Sequence, residues 1–231
     1  MSRPVAALAG IRACVFDAYG TLFDFASAAR ACSDVLGEDT ERLAALWRDK
    51  QIQYTWLRAA QDRHADFWQV TGEALDYVLE ATRLGRPGLR ERLMDLYLAL
   101  APFPEVADTL HRLKAAGMRT AILSNGTPAM LEAIVTAARL EGVLDMVISV
   151  EEVGAFKPHP KVYKRAVDRV GVAAGEISFQ SSNGWDVFAA SAFGMRTVWC
   201  NRYGQPRERL PGSPDAEVAT LAGLSELLGL A

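Results

Sequence analysis

The sequence is poor in the residues that mark disulfide-rich, metal-rich or strongly charged proteins. Its 231 residues include only 3 Cys and 3 His, and 28 acidic against 25 basic residues give a net charge of −3. Because Cys14, Cys32 and Cys200 are odd in number and far apart, we expect reduced thiols, as in a cytoplasmic protein, rather than a disulfide framework. The small net charge gives no reason to expect nucleic acid or an anionic membrane as a partner.

Long hydrophobic runs and a recognisable targeting signal are also missing. The longest run without a charged residue, Thr120 to Leu131, is much shorter than the roughly 18–20 apolar residues of a membrane-spanning helix. The first residues lead into a strand-like segment, Cys14–Phe16, without the basic, apolar and small-residue pattern of a signal peptide. We therefore expect a cytoplasmic protein, and a hydrophobic content of 50% gives it enough apolar residues for a sizeable core.

The order of predicted elements indicates an α/β fold with an inserted helical segment. Between Phe25 and Leu100 the sequence has helical periodicity and little strand signal, and Thr40 is a candidate N-cap. After Pro102 strands alternate with helices, which predicts a Rossmann-like, mostly parallel sheet flanked by helices. We predict a core domain of residues 1–24 and 101–231 and a helical cap subdomain of residues 25–100. The predicted helices include Thr40 to Leu57, Glu73–Thr82, Leu89–Leu100, Glu105–Ala115, Ala129–Ala138, Val162–Val170, one from Asp186, and Glu217–Leu228.

A single carboxylate follows the first predicted strand. Phe16 leads into Asp17, and Gly20-Thr21 then turns the chain away. Open α/β sheets carry their reactive groups at this end of their strands. A lone aspartate here is more often a solvated turn residue. Three further polar clusters, each at the end of a strand or the start of a helix, favour a functional site instead.

The second cluster, Ser124-Asn125-Gly126, ends the predicted strand Thr120–Leu123 at the start of a helix. Taken alone, these residues are typical of an ordinary helix N-cap. Taken together with Asp17, they favour a site that holds an anionic oxygen.

The third cluster is a lysine in a proline-rich loop. Pro158 and Pro160 restrict the backbone around Lys157 and His159. A cation at this position would keep Asp17 ionised, although an exposed loop lysine is also common. We interpret His159 as a loop or capping residue.

The fourth cluster, Ser181-Ser182-Asn183-Gly184-Trp185-Asp186, follows the predicted strand Ile177–Gln180. With the preceding clusters and the run Phe-Asp-Ala-Tyr-Gly-Thr-Leu-Phe at residues 16–23, it resembles the haloacid dehalogenase (HAD) superfamily, and its L-2-haloacid dehalogenase branch in particular. The resemblance covers nearly the whole chain. It implies a hydrolase that breaks carbon–halogen bonds.

The departures from the superfamily's phosphatases are informative. Most members are magnesium-dependent phosphatases with Asp-x-Asp in the first motif, whereas here Tyr19 replaces the second aspartate. With only Asp186 in the fourth cluster, few carboxylates remain for the oxygen-rich shell that Mg²⁺ requires, so we predict no metal and no cofactor. The tyrosine also removes the phosphatase's general acid. A departing halide ion needs no proton.

The resemblance implies a covalent mechanism in which Asp17 attacks C2 of a 2-haloalkanoate and water then hydrolyses the ester. Arg48, on the predicted cap helix, would receive the halide together with Asn125 and Trp185. Lys157 would pair with both carboxylates, and Asp186 with Asn183 would activate the water. The implied catalytic residues are Asp17, Thr21, Arg48, Ser124, Lys157, Tyr163, Ser181, Asn183 and Asp186. The implied substrate-binding residues are Ala18, Tyr19, Arg48, Ile52, Phe67, Ser124, Asn125 and Trp185.

Other interpretations remain open. Arg48 can be a solvated helix arginine, and Ile52 and Phe67 can be simple core residues. Asp49 stands where some family members have an uncharged amide, which leaves the substrate size preference open. The rival functions are a small-molecule phosphatase, a defluorinating or strained-ring-opening hydrolase with the same nucleophile, and a non-catalytic binding domain. The family resemblance also implies a homodimer.

Overall fold

The computed structural model describes residues 8–230, and its centre is a sheet of six parallel strands. The strand order is β3-β2-β1-β4-β5-β6. Strands β2 and β3 therefore follow on one side of β1, and strands β4 to β6 follow on the other side. Such a reversal of the strand order opens a crevice at the carboxyl ends of the strands. The strands are β1 Ala13–Phe16, β2 Arg119–Ser124, β3 Met146–Ser149, β4 Ile177–Ser181, β5 Arg196–Cys200 and β6 Ala216–Val218.

The central strand decides where the polar clusters meet. All four residues of β1 are buried, as expected of a strand covered on both faces. Phe16 pairs with Ile122 of β2 on one side and with Gln180 of β4 on the other. The carboxyl ends of these three strands therefore lie side by side, which brings the first, second and fourth clusters to one edge of the sheet.

Ten α-helices surround the sheet or form the inserted segment within the described residues. In the core, α8 and α9 pack against each other and the sheet, and α6 packs against β2 and α10. The helices are α1 Ser27–Arg30, α2 Ser33–Leu36, α3 Thr40–Ala60, α4 Phe67–Thr82, α5 Leu89–Tyr97, α6 Val106–Ala115, α7 Pro128–Ala137, α8 Pro160–Val170, α9 Gly184–Phe193 and α10 Leu224–Leu227. The α/β class with a parallel sheet and flanking helices is confirmed.

Helices α1 to α5 form one continuous insertion between β1 and α6. Its two ends are tied together, because Asp24 donates its N–H to the Ala101 carbonyl at 2.8 Å and Phe103 donates to the Leu22 carbonyl at 2.9 Å. Helices α3 and α4 pack along each other, and the Trp47 indole donates to a carbonyl of α4 at 2.9 Å. The division into a core and a cap subdomain stays a prediction, and residues 1–7 of the proposed core lie outside the described part.

In the insertion, the predicted N-cap of α3 and the predicted start of α4 are wrong. Helix α3 begins at Thr40, but its N-cap position is held by Asp39 without a side-chain cap, and the Thr40 hydroxyl donates back to Gly37 at 2.7 Å. A 3-10 turn leads directly into the helix there, so no separate cap is needed. Helix α4 begins at Phe67 rather than Glu73, because Asp66 caps it by accepting from the Gln69 N–H at 2.8 Å.

The predicted C-terminal helix near Glu217–Leu228 is also wrong. Residues Ala216–Val218 form β6, where Glu217 pairs with Trp199 and Val218 with Cys200. A 3-10 turn and the short helix α10 follow. The exposed edge of β5 offers these residues backbone partners, and this long-range pairing outweighs the local helical pattern.

The three thiols are free and buried, so Cys14, Cys32 and Cys200 act as small apolar residues of the core. Within residues 8–230, none of the helices combines the length and apolarity needed to cross a bilayer.

Candidate active site

The Asp17 carboxylate lies at the end of β1 and accepts hydrogen bonds from four side chains. Its Oδ2 accepts from the Asn183 amide at 2.8 Å, the Thr21 hydroxyl at 3.0 Å and the Ser181 hydroxyl at 3.4 Å. Its Oδ1 accepts from Lys157 Nζ at 3.0 Å. Asp17 is only 5% exposed as a whole residue. Hydrogen bonds of this kind hold a carboxylate in one orientation.

The turn after Asp17 is held by its own backbone and by the residue that follows β4. Gly20 has a φ of +88°, which glycine adopts without the steric cost of a side chain. The buried Ala18 carbonyl accepts the N–H groups of Leu22 and Phe23, each at 3.0 Å. The Thr21 hydroxyl also accepts from the Ser182 N–H at 2.8 Å. The first and fourth clusters are therefore locked together.

A buried lysine joins two carboxylates. Lys157 is 1% exposed, and its Nζ lies 3.0 Å from Asp17 and 2.9 Å from Asp186. Burial alone would lower the pKa of Lys157, but the two carboxylates outweigh it and the pKa is raised. The alternative of an exposed loop lysine is therefore wrong. His159 accepts from the Lys161 N–H at 3.1 Å as the N-cap of α8, as predicted for a local capping residue.

Asp186 is fully buried at the start of α9. Its Oδ2 accepts from Lys157 and its Oδ1 from the Tyr163 hydroxyl at 2.7 Å. Burial raises the pKa of Asp186 above its usual value, although Lys157 opposes the shift. Burial likewise raises the pKa of Tyr163, so its hydroxyl remains a hydrogen-bond donor. Asp186 is thus a more basic carboxylate than a solvated one.

The second cluster is not the helix cap. Thr127 caps α7 by accepting from the Met130 N–H at 3.2 Å. Ser124 and Asn125 are therefore left buried at the end of β2, where Ser124 Oγ accepts from the Gly126 N–H at 3.2 Å. Asn125 Oδ1 accepts the Lys157 N–H at 2.9 Å. This contact ties the second cluster to the lysine loop.

Arg48 reaches from α3 over the Asp17 turn. Its Nη2 lies 3.3 Å from the Tyr19 carbonyl and 3.4 Å from Asn183 Oδ1, and its Nη1 donates to Gln51 Oε1 at 2.8 Å. The guanidinium carbon also sits 5.5 Å from the centre of the Phe25 ring. Arg48 is consequently not a solvated surface arginine.

The resemblance implies an apolar pocket wall of Tyr19, Ile52, Phe67 and Trp185, and the structure divides these residues between a cleft and the core. Arg48, Ile52, Asn183 and Trp185 line a cleft of about 520 Å³, together with Asp49. The other two wall residues, Tyr19 and Phe67, are buried, and their ring centres lie 5.6 Å apart. Phe67 packs behind Tyr19 rather than lining the cleft.

A protein-family model described as a haloacid dehalogenase-like hydrolase matches residues 11–194. The chain belongs to the haloacid dehalogenase-like hydrolase family. The curated relatives of this HAD-like hydrolase include (S)-2-haloacid dehalogenase 4A of Burkholderia cepacia, 47% identical over 86% of both chains. They also include (S)-2-haloacid dehalogenase 1 of Pseudomonas sp. (strain CBS-3), 46% identical over 94% of this chain and 96% of that one.

Solved structures agree with the family assignment. A dehalogenase with an intermediate complex has a TM-score of 0.92 at 44% identity and covers 95% of this chain and 97% of its own. The Xanthobacter autotrophicus L-2-haloacid dehalogenase with covalently bound chloropropionic acid has a TM-score of 0.88 at 38% identity, covering 96% of this chain and all of its own. The resemblance to L-2-haloacid dehalogenases is confirmed.

The site of this HAD-like hydrolase offers little for a metal ion. Within the described range, no group of three or more His, Cys, Asp and Glu side chains is placed to hold one. The space between Asp17 and Asp186 is filled by the Lys157 ammonium. These donors fit a lysine-bridged pair better than an octahedral Mg²⁺ site. The metal-free reaction stays a prediction.

Sequence reasoning missed several buried polar contacts around the site. Gln51, to which no role was assigned from the sequence, is 1% exposed and accepts a hydrogen bond from Arg48. Arg202, just after β5, donates to the Thr21 carbonyl at 2.8 Å. The position of Gln51 one turn beyond Arg48 on the same helix was the only available signal. For Arg202 the sequence contains no local signal.

Proposed function

We propose that this chain hydrolyses short-chain L-2-haloalkanoic acids to D-2-hydroxyalkanoic acids and halide, without a metal. The observation that carries the proposal is one buried carboxylate, Asp17, oriented by four donors, with the Arg48 cation above it and Tyr19 in place of a second acid. The family membership and the names of the relatives support the same reaction class.

In the first step, an Asp17 oxygen attacks C2 of the substrate from the side opposite the halogen. An O–C2 bond forms, the C2–halogen bond breaks, and its electron pair leaves on the halide. The configuration at C2 is inverted. Arg48 and Asn125, with Trp185 beside them, receive the halide, since a guanidinium is permanently charged and weakly hydrated. The three side-chain donors to Oδ2 hold the nucleophile for this attack.

The substrate carboxylate is assigned to the end of β2. Ser124, with the backbone N–H groups of Ala18 and Tyr19, would hold it, and Ile52 with Trp185 would contact the apolar part of the substrate. A short acid suits this arrangement because both its charged end and its halogen must be held at once. Asp49 at the cleft adds negative charge on the solvent side.

In the second step, water attacks the carbonyl carbon of the Asp17 ester. Asp186 accepts a proton from this water, and Asn183 helps to orient it. The tetrahedral intermediate collapses to the Asp17 carboxyl group and an alkoxide. The alkoxide takes the proton of this carboxyl group, which gives the hydroxy acid and the Asp17 carboxylate, and Asp186 releases its proton to solvent. The burial that raises the pKa of Asp186 makes it a stronger base at neutral pH.

The test is halide release from L- and D-2-chloropropionate by chelator-treated enzyme. We expect chloride from the L isomer alone, and none from Asp17→Asn. The matched control is Asp168→Asn, an exposed carboxylate on α8 paired with Lys164, which should keep full activity. A single turnover in oxygen-18 water should label Asp17 and not the product. Absence of chloride, with magnesium-dependent hydrolysis of a phosphate ester, would refute the proposal in favour of a phosphatase.

Other substrates and the assembly are tested in the same preparation. Fluoride release from 2-fluoropropionate would extend the activity to defluorination by the same nucleophile. The expected homodimer is checked by light scattering of the purified chain.

A further inference from the structure

A buried amide stands directly behind Arg48. Gln51 is 1% exposed on α3, and its Oε1 accepts from Arg48 Nη1 at 2.8 Å. Its Nε2 donates to Thr71 Oγ1 at 2.7 Å and to the Tyr97 hydroxyl at 3.1 Å. One side chain therefore links the arginine to α4 and α5.

The amide of Gln51 has one favoured orientation. The Thr71 hydroxyl already donates its only proton to the Phe67 carbonyl at 2.6 Å. Towards Gln51 it can act only as an acceptor, so the Gln51 nitrogen must face Thr71. The Gln51 oxygen then faces Arg48, where it accepts from the guanidinium. Thr71 of α4 thus fixes the Gln51 amide so that its neutral oxygen accepts from Arg48.

The two ends of the guanidinium are held unequally. Nη1 has the short bond to Gln51, whereas Nη2 has only the longer contacts of 3.3 Å to Tyr19 and 3.4 Å to Asn183. The weaker contacts are the ones that an incoming anion can replace. We infer that Gln51 is a positioning residue that anchors Nη1, so that Nη2 exchanges its protein contacts for the departing halide.

The chemistry of the amide suits this role. A glutamine accepts a hydrogen bond without neutralising the guanidinium, so the full positive charge of Arg48 remains available to the halide. A carboxylate at the same place would accept the same bond but cancel that charge. An apolar side chain would preserve the charge but release Nη1. The inference rests on the proposed function, because it assigns a halide to Arg48.

Three variants separate these effects. Gln51→Met removes the acceptor at similar volume, and Gln51→Glu keeps the acceptor but adds a charge. Thr55→Val is the matched control, because Thr55 is equally buried on α3 and its hydroxyl donates to the Ile52 carbonyl at 2.7 Å. Urea unfolding establishes that each variant is folded before it is assayed.

Bromide affinity is the decisive readout. It is measured by bromide-dependent thermal stabilisation, and by bromide inhibition where turnover is present. We expect both Gln51 variants to bind bromide about 10- to 100-fold more weakly, the size of a hydrogen bond to a charged group, and to lose kcat while KM changes little. Thr55→Val should stay within about twofold of wild type on both measures.

The outcomes keep the two proposals apart. Unchanged bromide affinity in folded Gln51→Met and Gln51→Glu overturns the inference, whether or not the enzyme dehalogenates. Failure of the wild type to release halide overturns the proposed function, and the bromide measurement still decides the role of Gln51. An equal loss in Thr55→Val would also overturn the inference, because the effect would then be a general loosening of α3.

Discussion

Replacing Lys157 by methionine removes the cation between two buried carboxylates and leaves a side chain of similar length. Lys157 Nζ lies 3.0 Å from Asp17 and 2.9 Å from Asp186. The side chain of Lys157 is 1% exposed, that of Asp17 is 7% exposed and that of Asp186 is 0% exposed. Breaking a buried ion pair from one side costs about 3–5 kcal/mol, because the remaining charge has no partner. That loss is a large part of a total stability of about 5–15 kcal/mol.

The loss should depend on pH in a defined direction. Burial raises the pKa of Asp186 in the folded chain, and removal of Lys157 raises it further. A carboxyl group whose pKa is higher in the folded than in the unfolded chain lowers the free energy of unfolding when the pH is above both pKa values. This loss disappears as the pH falls and the group becomes protonated in both states. The destabilisation by Lys157→Met should therefore be greatest at neutral pH and shrink in acid.

The assay is urea unfolding, followed by circular dichroism, between about pH 4.5 and pH 8. Adding Asp186→Asn to Lys157→Met should restore part of the lost stability at pH 7, because one unpaired charge is removed. The control is Lys164→Met, whose ion pair with Asp168 is 66% and 46% exposed. Such exposed pairs contribute at most about 1 kcal/mol. The reasoning would be refuted if Lys157→Met were as stable as the wild type at pH 7. It would also be refuted if the difference in free energy of unfolding between the two did not become smaller in acid.

Four further substitutions test the packing around Asp17 and Tyr19. Among the described residues the buried Tyr19 hydroxyl has no hydrogen-bond partner, so Tyr19→Phe should unfold at the same or a higher urea concentration. Tyr97→Phe removes a hydrogen-bonded hydroxyl and should lower the free energy of unfolding by about 1 kcal/mol. Equal losses of stability in the two variants would contradict this. A methyl group on Gly126 would lie 2.8 Å from the Tyr19 hydroxyl oxygen, so Gly126→Ala should cost about 1–3 kcal/mol in urea unfolding and recover partly in combination with Tyr19→Phe. Arg202→Met leaves the Thr21 carbonyl without its donor, so it should lower the free energy of unfolding by about 1–3 kcal/mol and also lower the rate of chloride release. Unchanged values in both assays would show that Arg202 does not stabilise the turn after Asp17.

The alternation of strands and helices after Pro102 was predictable because period-two and helical patterns are local properties of the chain. The same local reasoning failed at Ala216–Val218, which pairs with the edge of β5. The partners of that segment lie well apart in sequence, and no local pattern identifies them. The start of α4 was missed for a different reason: its cap is a local contact between Asp66 and Gln69, but Asp66 lies outside the apolar repeat from which the helix was predicted.

The residue types of the site were readable, but their contacts were not. The sequence left open whether Lys157 was a surface residue and whether the second cluster was a helix cap. Burial of Lys157 between Asp17 and Asp186 answered the first question, and the cap at Thr127 answered the second. Both answers depend on how distant loops pack, which sequence spacing does not encode.

By itself the sequence determined the parallel α/β class, the helical insertion, and the chemical groups available, above all Asp17 with Tyr19 two residues later. Only the tertiary structure decided the order of the strands, the bridge from Lys157 to both carboxylates, and the anchoring of Arg48 by Gln51. The physical reason is that local patterns follow from the period of a helix or strand. A buried charge is held by donors from several elements, and their meeting is set by packing.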